Sequence, residues 1–450
     1  MQNDVIAAIA TANGHGAIGI VRMSGVGVLQ LLRRIFPHKR ELVSHRMYYG
    51  NIVANGETID EVMVCPMLAP RSYTMEDTVE IYAHGGMVVL RSVLNVVLQE
   101  GARLAQPGEF TKRAFLNGRL NLTQAEAVMD IIRAGSDAAR RAGLRQLGGG
   151  LSDRIQNTRD KLLSWLAHIE LSIDYPEHEE EAKTAAQILQ EGAGVIHELT
   201  ALHKTATIGR MLRDGVKTAI IGRPNAGKST LLNAILSEDR AIVHEQAGTT
   251  RDVLTERVVV GGIPLLLMDT AGIRETADPV EKIGVQKTLE AVQDAELILY
   301  VIDRSQGVSS DDTNMLATVK DKPVIVLLNK SDLFSGDSDL TSDNENKIEV
   351  STLTGQGLDK LYDRIGKLLL TNAGDTANEA DIITRERHRI LLEQTINHVQ
   401  TAMNEIEMQV PEDLISVRLR VAYVALGEIL GIEVADDILD RIFSEFCVGK

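Results

Sequence analysis

Val216-Lys217-Thr218-Ala219-Ile220-Ile221, followed by Gly222-Arg223-Pro224-Asn225-Ala226-Gly227-Lys228-Ser229, decides the fold of the middle of this chain. The first six residues form an apolar run of strand length. The next eight match the pattern G-x-x-x-x-G-K-S, and residues 230–236 continue as a helix. Strand, glycine loop and helix in that order make a phosphate cradle. The glycines let backbone N–H groups converge on phosphate oxygens at the positive end of a helix. Lys228 is placed to reach β and γ phosphates and Ser229 to hold Mg²⁺. Asn225, Ala226, Gly227 and Thr230 complete the nucleotide-contacting stretch.

Working outward, three further short apolar runs each end in a polar signature. Residues 265–268 lead into Asp269-Thr270-Ala271-Gly272, where an Asp can hold Mg²⁺ through water and a Gly N–H can touch the γ phosphate. Residues 324–328 lead into Asn329-Lys330-Ser331-Asp332. Asp332 can accept from both N1–H and the exocyclic amine of guanine. Adenine lacks that donor pair, so the motif selects GTP over ATP. Ser351-Thr352 follows residues 348–350 and suits a backbone contact to the base. Between the first two motifs, Gly248-Thr249-Thr250-Arg251-Asp252 precedes a strand at 253–260. A threonine hydroxyl there completes a Mg²⁺ shell only when a γ phosphate holds the loop, which is an order–disorder switch. The ordered set resembles the translation-factor-like P-loop GTPases. Ras-type enzymes place a water-orienting Gln after the Gly of D-x-x-G; here that residue is Ile273, so the catalytic group is sought among Arg274, Glu275 and Glu281.

Apolar runs alternating with helical stretches over 214–371 predict buried parallel strands with crossover helices, an α/β unit. On the amino-terminal side, residues 17–23 and 61–66 read as strands and 88–98 as a helix. The pattern turns helical from 120 to 171, where Ile155, Leu162, Leu166, Ile169 and Ile173 share one face. An acidic break at 175–181 precedes another helix running to about Met211. Beyond a polar linker at 372–381, Leu392, Ile396, Val399, Met403 and Ile406 mark a long helix, and a last helical region runs to Phe446. The simplest packing pairs the helical segments 119–213 and 372–450 into one domain, with the α/β unit inserted and an α/β domain at 1–118.

The composition fits a globular protein of several domains: 450 residues, 44% hydrophobic and 24% charged. A net charge of −16 disfavours a general polyanion binder, although residues 103–161 carry 11 basic against 6 acidic side chains. That segment, dominated by Arg133, Arg140, Arg141 and Arg145, reads either as a face that neutralises nucleic-acid phosphates or as a solvated helical face. Cys65 and Cys447 are too few for a disulfide framework, and Cys65 reads as core. No apolar run reaches the ~18 residues of a membrane span, and the first ten residues carry no signal-peptide pattern. A cytoplasmic protein is expected.

Three more stretches, Gly19-Ile20-Val21-Arg22-Met23-Ser24-Gly25, the run Gly108 to Arg119 (GEFTKRAFLNGR) and Phe446-Cys447-Val448-Gly449-Lys450, combine with the nucleotide motifs along the whole chain. In this combination the sequence resembles the MnmE (TrmE) family of tRNA-uridine modification GTPases. The resemblance implies an amino-terminal domain similar to tetrahydrofolate-binding domains, with Arg22, Glu80, Arg119 and Lys450 lining a pocket for 5,10-methylene-tetrahydrofolate. From its strand alternation alone, Glu80 reads as an exposed residue. Family patterns often have Gly where Met75 stands. The resemblance further implies K⁺ held by Asn225 and by carbonyls of His244, Gln246 and Thr249, and Glu281 orienting water through a second water. It also implies a role for Cys447 in modification; a buried structural thiol is the alternative. The implied partners are tRNA and an FAD-containing subunit of the MnmG/GidA type. A homodimer would join that subunit in a heterotetramer, and together they would add an aminomethyl or carboxymethylaminomethyl group to C5 of the wobble uridine. The other readings are a ribosome-assembly GTPase and a purely regulatory switch, neither with base chemistry.

Overall fold

The computed structural model of the chain describes residues 4–174, 185–237, 255–268, 291–333, 346–370, 381–432 and 434–450. They fall into two units. Unit 1 holds Met1–Met129, Leu147–Asp160 and Tyr423–Lys450, and unit 2 holds Asp130–Gln146 and Lys161–Ala422.

Unit 1 is organised by six strands, β1 (Ile6–Ile9), β2 (Ile18–Ser24), β3 (Tyr48–Ala54), β4 (Glu57–Met67), β5 (Thr78–His84) and β6 (Arg103–Leu104). Their order is β3-β4-β5-β2-β1-β6. All neighbours are antiparallel except β1 and β6. Side chains alternate between the two faces. Val21 and Met23, Val62 and Val64, Val79 and Ile81 form a core with Leu31 and Leu32 of helix Val28–Ile35 and Leu90 and Val93 of helix Met87–Gln99. The intervening residues Arg22, Cys65, Glu80 and Tyr82 therefore stand on the opposite face. Burying each core aliphatic contributes about 1.5–3 kcal/mol. A one-residue slip of β2 or β5 would drive Arg22 or Glu80 into that core, so the register is fixed.

Two predicted features differ here. Cys65 is half-buried on the polar face and not in the core, because it lies one residue out of phase with Val62 and Val64. Much of the basic excess of 103–161 is spent internally. Arg113 pairs with Asp4 at 2.7 Å and with Glu76 at 3.2 Å, while Arg103 pairs with Asp4 at 2.8 Å. Arg140 and Arg141 both pair with Asp137, and Arg159 stacks 3.9 Å over the Tyr423 ring.

The predicted helical run from 120 to 171 is three helices, Leu122–Ile132, Asp137–Leu147 and Gly150–Asp174. Ser136 interrupts the first stretch; its hydroxyl accepts from the Ala139 N–H and starts a new helix. The run Gly148-Gly149-Gly150 separates the second from the third. Ile155, Leu162, Leu166 and Ile169 are buried, but Ile173 is 43% exposed in the last turn. The next predicted helix is likewise two, Ala185–Lys204 and Ala206–Asp214, broken at Thr205, whose hydroxyl turns back to the Leu202 carbonyl.

Unit 2 contains β7 (Val216–Gly222), β8 (Thr255–Val260), β9 (Ile263–Met268), β10 (Leu297–Asp303), β11 (Val324–Asn329) and β12 (Lys347–Glu349), in the order β12-β11-β10-β7-β9-β8. Five strands are parallel, as the buried runs predict. The sixth, β8, is antiparallel to β9, because Gly261-Gly262 turns them directly into a hairpin with no crossover helix. Both faces of the central strands are buried. Ile220, Leu299, Val301 and Leu327 pack on one side and Ala219, Ile221, Tyr300 and Leu328 on the other. Helix Glu386–Glu407 packs along helix Ala185–Lys204, and helices Lys228–Ser237, Ser310–Thr318 and Leu358–Leu370 join the sheet. Among the described residues no helix is long and apolar enough to cross a membrane.

Candidate functional site

The phosphate loop runs from the end of β7 into helix Lys228–Ser237. Asn225 sits at φ +63° and Gly227 at φ +98°. A Cβ on Gly227 would stand 2.1 Å from Asn329 Nδ2, so only glycine fits there. That contact is the hinge of the site. Asn329 Nδ2 donates to the Ala226 carbonyl at 2.8 Å, and its Oδ1 accepts from the Thr352 N–H at 3.1 Å. One buried amide thereby holds the phosphate loop and the base-side loop in register. Lys228 Nζ arches back to the carbonyls of Gly222 and Arg223 at 3.0 and 2.8 Å, and burial pushes its ammonium below the usual lysine value. Ser229 and Thr230 stand at the helix start, both exposed.

The base-side corner follows β11 and β12. The Ser351 hydroxyl donates to Asp332 Oδ1 at 2.6 Å, which orients an otherwise exposed carboxylate. Lys330, at φ +63°, extends to Asp303 Oδ2 at 2.6 Å. Burial works to raise the Asp303 carboxyl, but the bonds from Lys330 and Ser305 win and hold it low. Of the remaining predicted nucleotide-site residues, His244, Gln246, Thr249, Thr250, Asp269, Thr270, Ala271, Gly272 and Glu281 lie outside the described residues, as do Ile273, Arg274 and Glu275.

A second polar corner occupies the open face of the unit 1 sheet. Arg22 and Glu80 are direct cross-strand partners, joined at 2.8 Å and each only 13% exposed, so Glu80 is not the exposed residue its alternation suggests. The Tyr82 hydroxyl donates to the other Glu80 oxygen at 2.6 Å. Burial and that carboxylate raise the phenol above its ordinary value. The Tyr73 ring lies between two guanidinium groups, 5.6 Å from Arg22 and 4.7 Å from Arg119, and Phe110 is 5.7 Å from Arg22.

Residues 447–450 close this corner. Phe446 is buried with Leu122, Met129, Leu439 and Phe443 and anchors them. Gly449, at φ +92°, lies so near β1 that a Cβ would meet the Ile9 carbonyl at 2.5 Å, and its own carbonyl accepts from Arg22 Nη1 at 3.1 Å. Burial and Arg22 depress the Lys450 ammonium, partly offset by Glu80 and Cys447. Cys447 is exposed, unlike a structural core thiol.

Family comparison matches residues 5–119 to the model described as GTP-binding protein TrmE N-terminus, and residues 122–447 to the MnmE helical domain. The tRNA modification GTPase MnmE of Streptococcus gordonii is 46% identical over 99% of both chains. That of Finegoldia magna is 45% identical over the full length of each. This chain belongs to the MnmE family. Among solved structures, a variant of Aquifex aeolicus Era bound to GDP·AlF₄⁻ is 26% identical, covering 40% of this chain and 65% of the other, with a TM-score of 0.25.

In this MnmE-family chain the structure brings Asn225 to Ser229 together with Asn329, Lys330, Asp332 and Ser351, and separately Arg22, Glu80, Arg119 and Lys450. Sequence reasoning missed Tyr73, Tyr82 and Phe110 in the second corner and Asp303 in the first. Tyr82 had a detectable signal: it stands two residues from Glu80, hence on the same strand face.

Met75 also gains a meaning. It sits at φ +60°, a left-handed conformation that favours glycine.

Proposed function

We propose that this chain is a GTP hydrolase that couples hydrolysis to modification of tRNA at C5 of the wobble uridine. On this reading 1–118 is the folate-binding domain, and 119–213 and 372–450 form one helical domain with the GTPase domain 214–371 inserted. The loop 225–230 binds phosphates through backbone N–H groups and Lys228, and Asp332 reads guanine. Ser229 and Thr250 hold Mg²⁺, and Asn225 with the carbonyls of His244, Gln246 and Thr249 holds K⁺. These ions supply positive charge to the phosphate oxygens. Asp269, Thr270, Ala271 and Gly272 line the γ-phosphate side, and Glu281 orients water.

The unit 1 corner suits a reduced folate. It offers one carboxylate for an amino-pyrimidine edge, two aromatic faces beside it, and three cations for a glutamate tail. Glu80 would take the pterin, with Arg22, Arg119 and Lys450 on the carboxylates. Methylene-tetrahydrofolate supplies a one-carbon unit when bound. Arg22 and Tyr82 each engage one oxygen of Glu80 and so aim its carboxylate. Cys447 stands beside this corner as the candidate nucleophile. The partner is an FAD-containing subunit of the MnmG/GidA type, joined to a homodimer of this chain in the cytoplasm.

The observation that carries the reading is the Arg22–Glu80 pair closed over by residues 447–450 in a chain whose Asn329 also ties a G-x-x-x-x-G-K-S loop to the corner that holds Asp332 and Ser351. Nucleoside analysis of tRNA from cells lacking the protein tests it. The modified wobble uridine should disappear and should not return with Cys447→Ser, while that purified variant hydrolyses GTP at the wild-type rate. Unchanged wobble uridine in the deletion strain would sink the reading.

A further inference from the structure

The pattern G-x-x-x-x-G-K-S leaves its second residue open, and here that residue is Arg223. Its guanidinium reaches across to the connection after β10. Nε is 3.1 Å from Asp312 Oδ2, and Nη2 donates to the Gly307 carbonyl at 2.9 Å. Asp312 is fully buried in the first turn of helix Ser310–Thr318. Its other bonds come from two sides. Ser309 donates to Oδ2 from its N–H at 2.9 Å and from its hydroxyl at 2.8 Å, and the Tyr300 hydroxyl on β10 donates to Oδ1 at 3.0 Å. Burial works to raise the Asp312 carboxyl, but the bonds from Ser309 and Tyr300 and the charge of Arg223 hold it low.

A helix cap alone does not account for this arrangement. The capping box between Ser309 and Asp312 satisfies the first turn of the helix by local bonds. An acid in that role can stay at the surface. Asp312 is instead carried inside, where an ionised carboxylate is unfavourable unless it is paired and hydrogen-bonded. The pairing cation comes from the phosphate loop. The backbone of that same residue is part of the seat of Lys228. The Arg223 carbonyl accepts from Lys228 Nζ at 2.8 Å and from the Ala226 N–H at 3.3 Å. Side chain and carbonyl of one residue thus join the buried acid to the loop ammonium.

We propose, on the reading of residues 225–230 as the phosphate-binding loop, that Arg223 and Asp312 are positioning residues for GTP hydrolysis. Their ion pair fixes the backbone from which Lys228 reaches the β and γ phosphates. Neither side chain needs to touch the nucleotide. With the guanidinium anchored at both Asp312 and Gly307, the Arg223 peptide is held and Lys228 approaches from a fixed base. A catalytic group misplaced by about 1 Å can lose roughly 100-fold in rate. Ground-state binding draws on several loop N–H groups and on the base, so it is less sensitive to that displacement.

The test is steady-state GTP hydrolysis by the full chain in Mg²⁺ and K⁺, with rates divided by the active fraction counted from bound GDP. Arg223→Met should lower kcat roughly tenfold, while KM for GTP changes less than about threefold. Arg223→Lys, which keeps a charge for Asp312, should recover stability and part of kcat. Asp312→Asn should repeat the kcat loss and serves if Arg223→Met does not fold. The double variant Arg223→Met/Asp312→Asn separates positioning from support of the fold. It leaves no unpaired buried charge, so its melting temperature should exceed that of Arg223→Met while kcat stays low. Recovery of kcat together with stability would reduce the pair to a structural role and overturn the proposal. Lys228→Ala controls for the site. If it abolishes turnover while folded Arg223→Met and Asp312→Asn keep the wild-type kcat, the positioning role falls and the phosphate-loop reading stands. If Lys228→Ala turns over normally, both fall.

Discussion

The two sheets of this protein build their polar sites in opposite ways. On the parallel sheet of unit 2, the site lies where β7, β11 and β12 end, and it consists of three short loop stretches, each continuous in sequence. On the largely antiparallel sheet of unit 1, the site lies on a strand face. Arg22, Glu80 and Cys65 form a row across β2, β5 and β4, and residues 447–450 close it. The difference follows from hydrogen-bond geometry. Parallel strands need crossovers, which leave all their carboxyl ends and their loops on one side. An antiparallel sheet offers one face to its helices and leaves the other free. A loop site can change chemistry with little effect on the core. A face site uses the same residues to hold the sheet and its covering segments together.

The largest expected effect tests the loop site. Asp332→Asn keeps the Ser351 bond but loses the carboxylate proposed to read guanine. GTP affinity should fall roughly 100-fold, with xanthine nucleotides gaining. Because Asp332 lies at the surface, the melting temperature should stay within about 2 °C of wild type. Equal loss of stability and affinity would break the contrast between the two sites.

Glu80→Gln makes the matching change on the face site. It should weaken folate binding roughly tenfold by calorimetry and also cost about 1–2 kcal/mol of stability in urea, since Arg22 and Tyr82 both lose a charged partner. Weaker folate binding at unchanged stability would show the face site to be as modular as the loop site.

The smallest effect concerns the loop between β4 and β5. Met75→Gly should stabilise the protein by about 0.5–1 kcal/mol, because glycine adopts the left-handed conformation without the Cβ penalty. A loss of stability in urea would mean that the Met75 side chain contributes more than its backbone strain costs.

The contrast also explains what could be read from residues alone. Gly222 to Ser229, Asn329 to Asp332 and Ser351 are each local, and each follows an apolar run. Spacing therefore named the nucleotide site before any contact was known. Glu80 was different. It is 58 residues from Arg22 and its local pattern is that of an exposed strand residue. Only the family resemblance singled it out.

By itself, the sequence determined the alternation that buries Val21, Met23, Val79 and Ile81, the runs that become parallel strands, and the glycine that Gly227 must be. These are properties of neighbouring residues, set by backbone geometry and side-chain period. The tertiary structure alone decided that β8 turns back antiparallel, that Asn329 ties the phosphate loop to the base-side loop, and that Arg103 and Arg113 spend their charge on Asp4, Glu109 and Glu76. It also decided that Phe446 sets Lys450 beside Arg22. Such contacts join residues up to hundreds of positions apart. Their partners are fixed by packing of the whole core and by register between strands, which no local window contains.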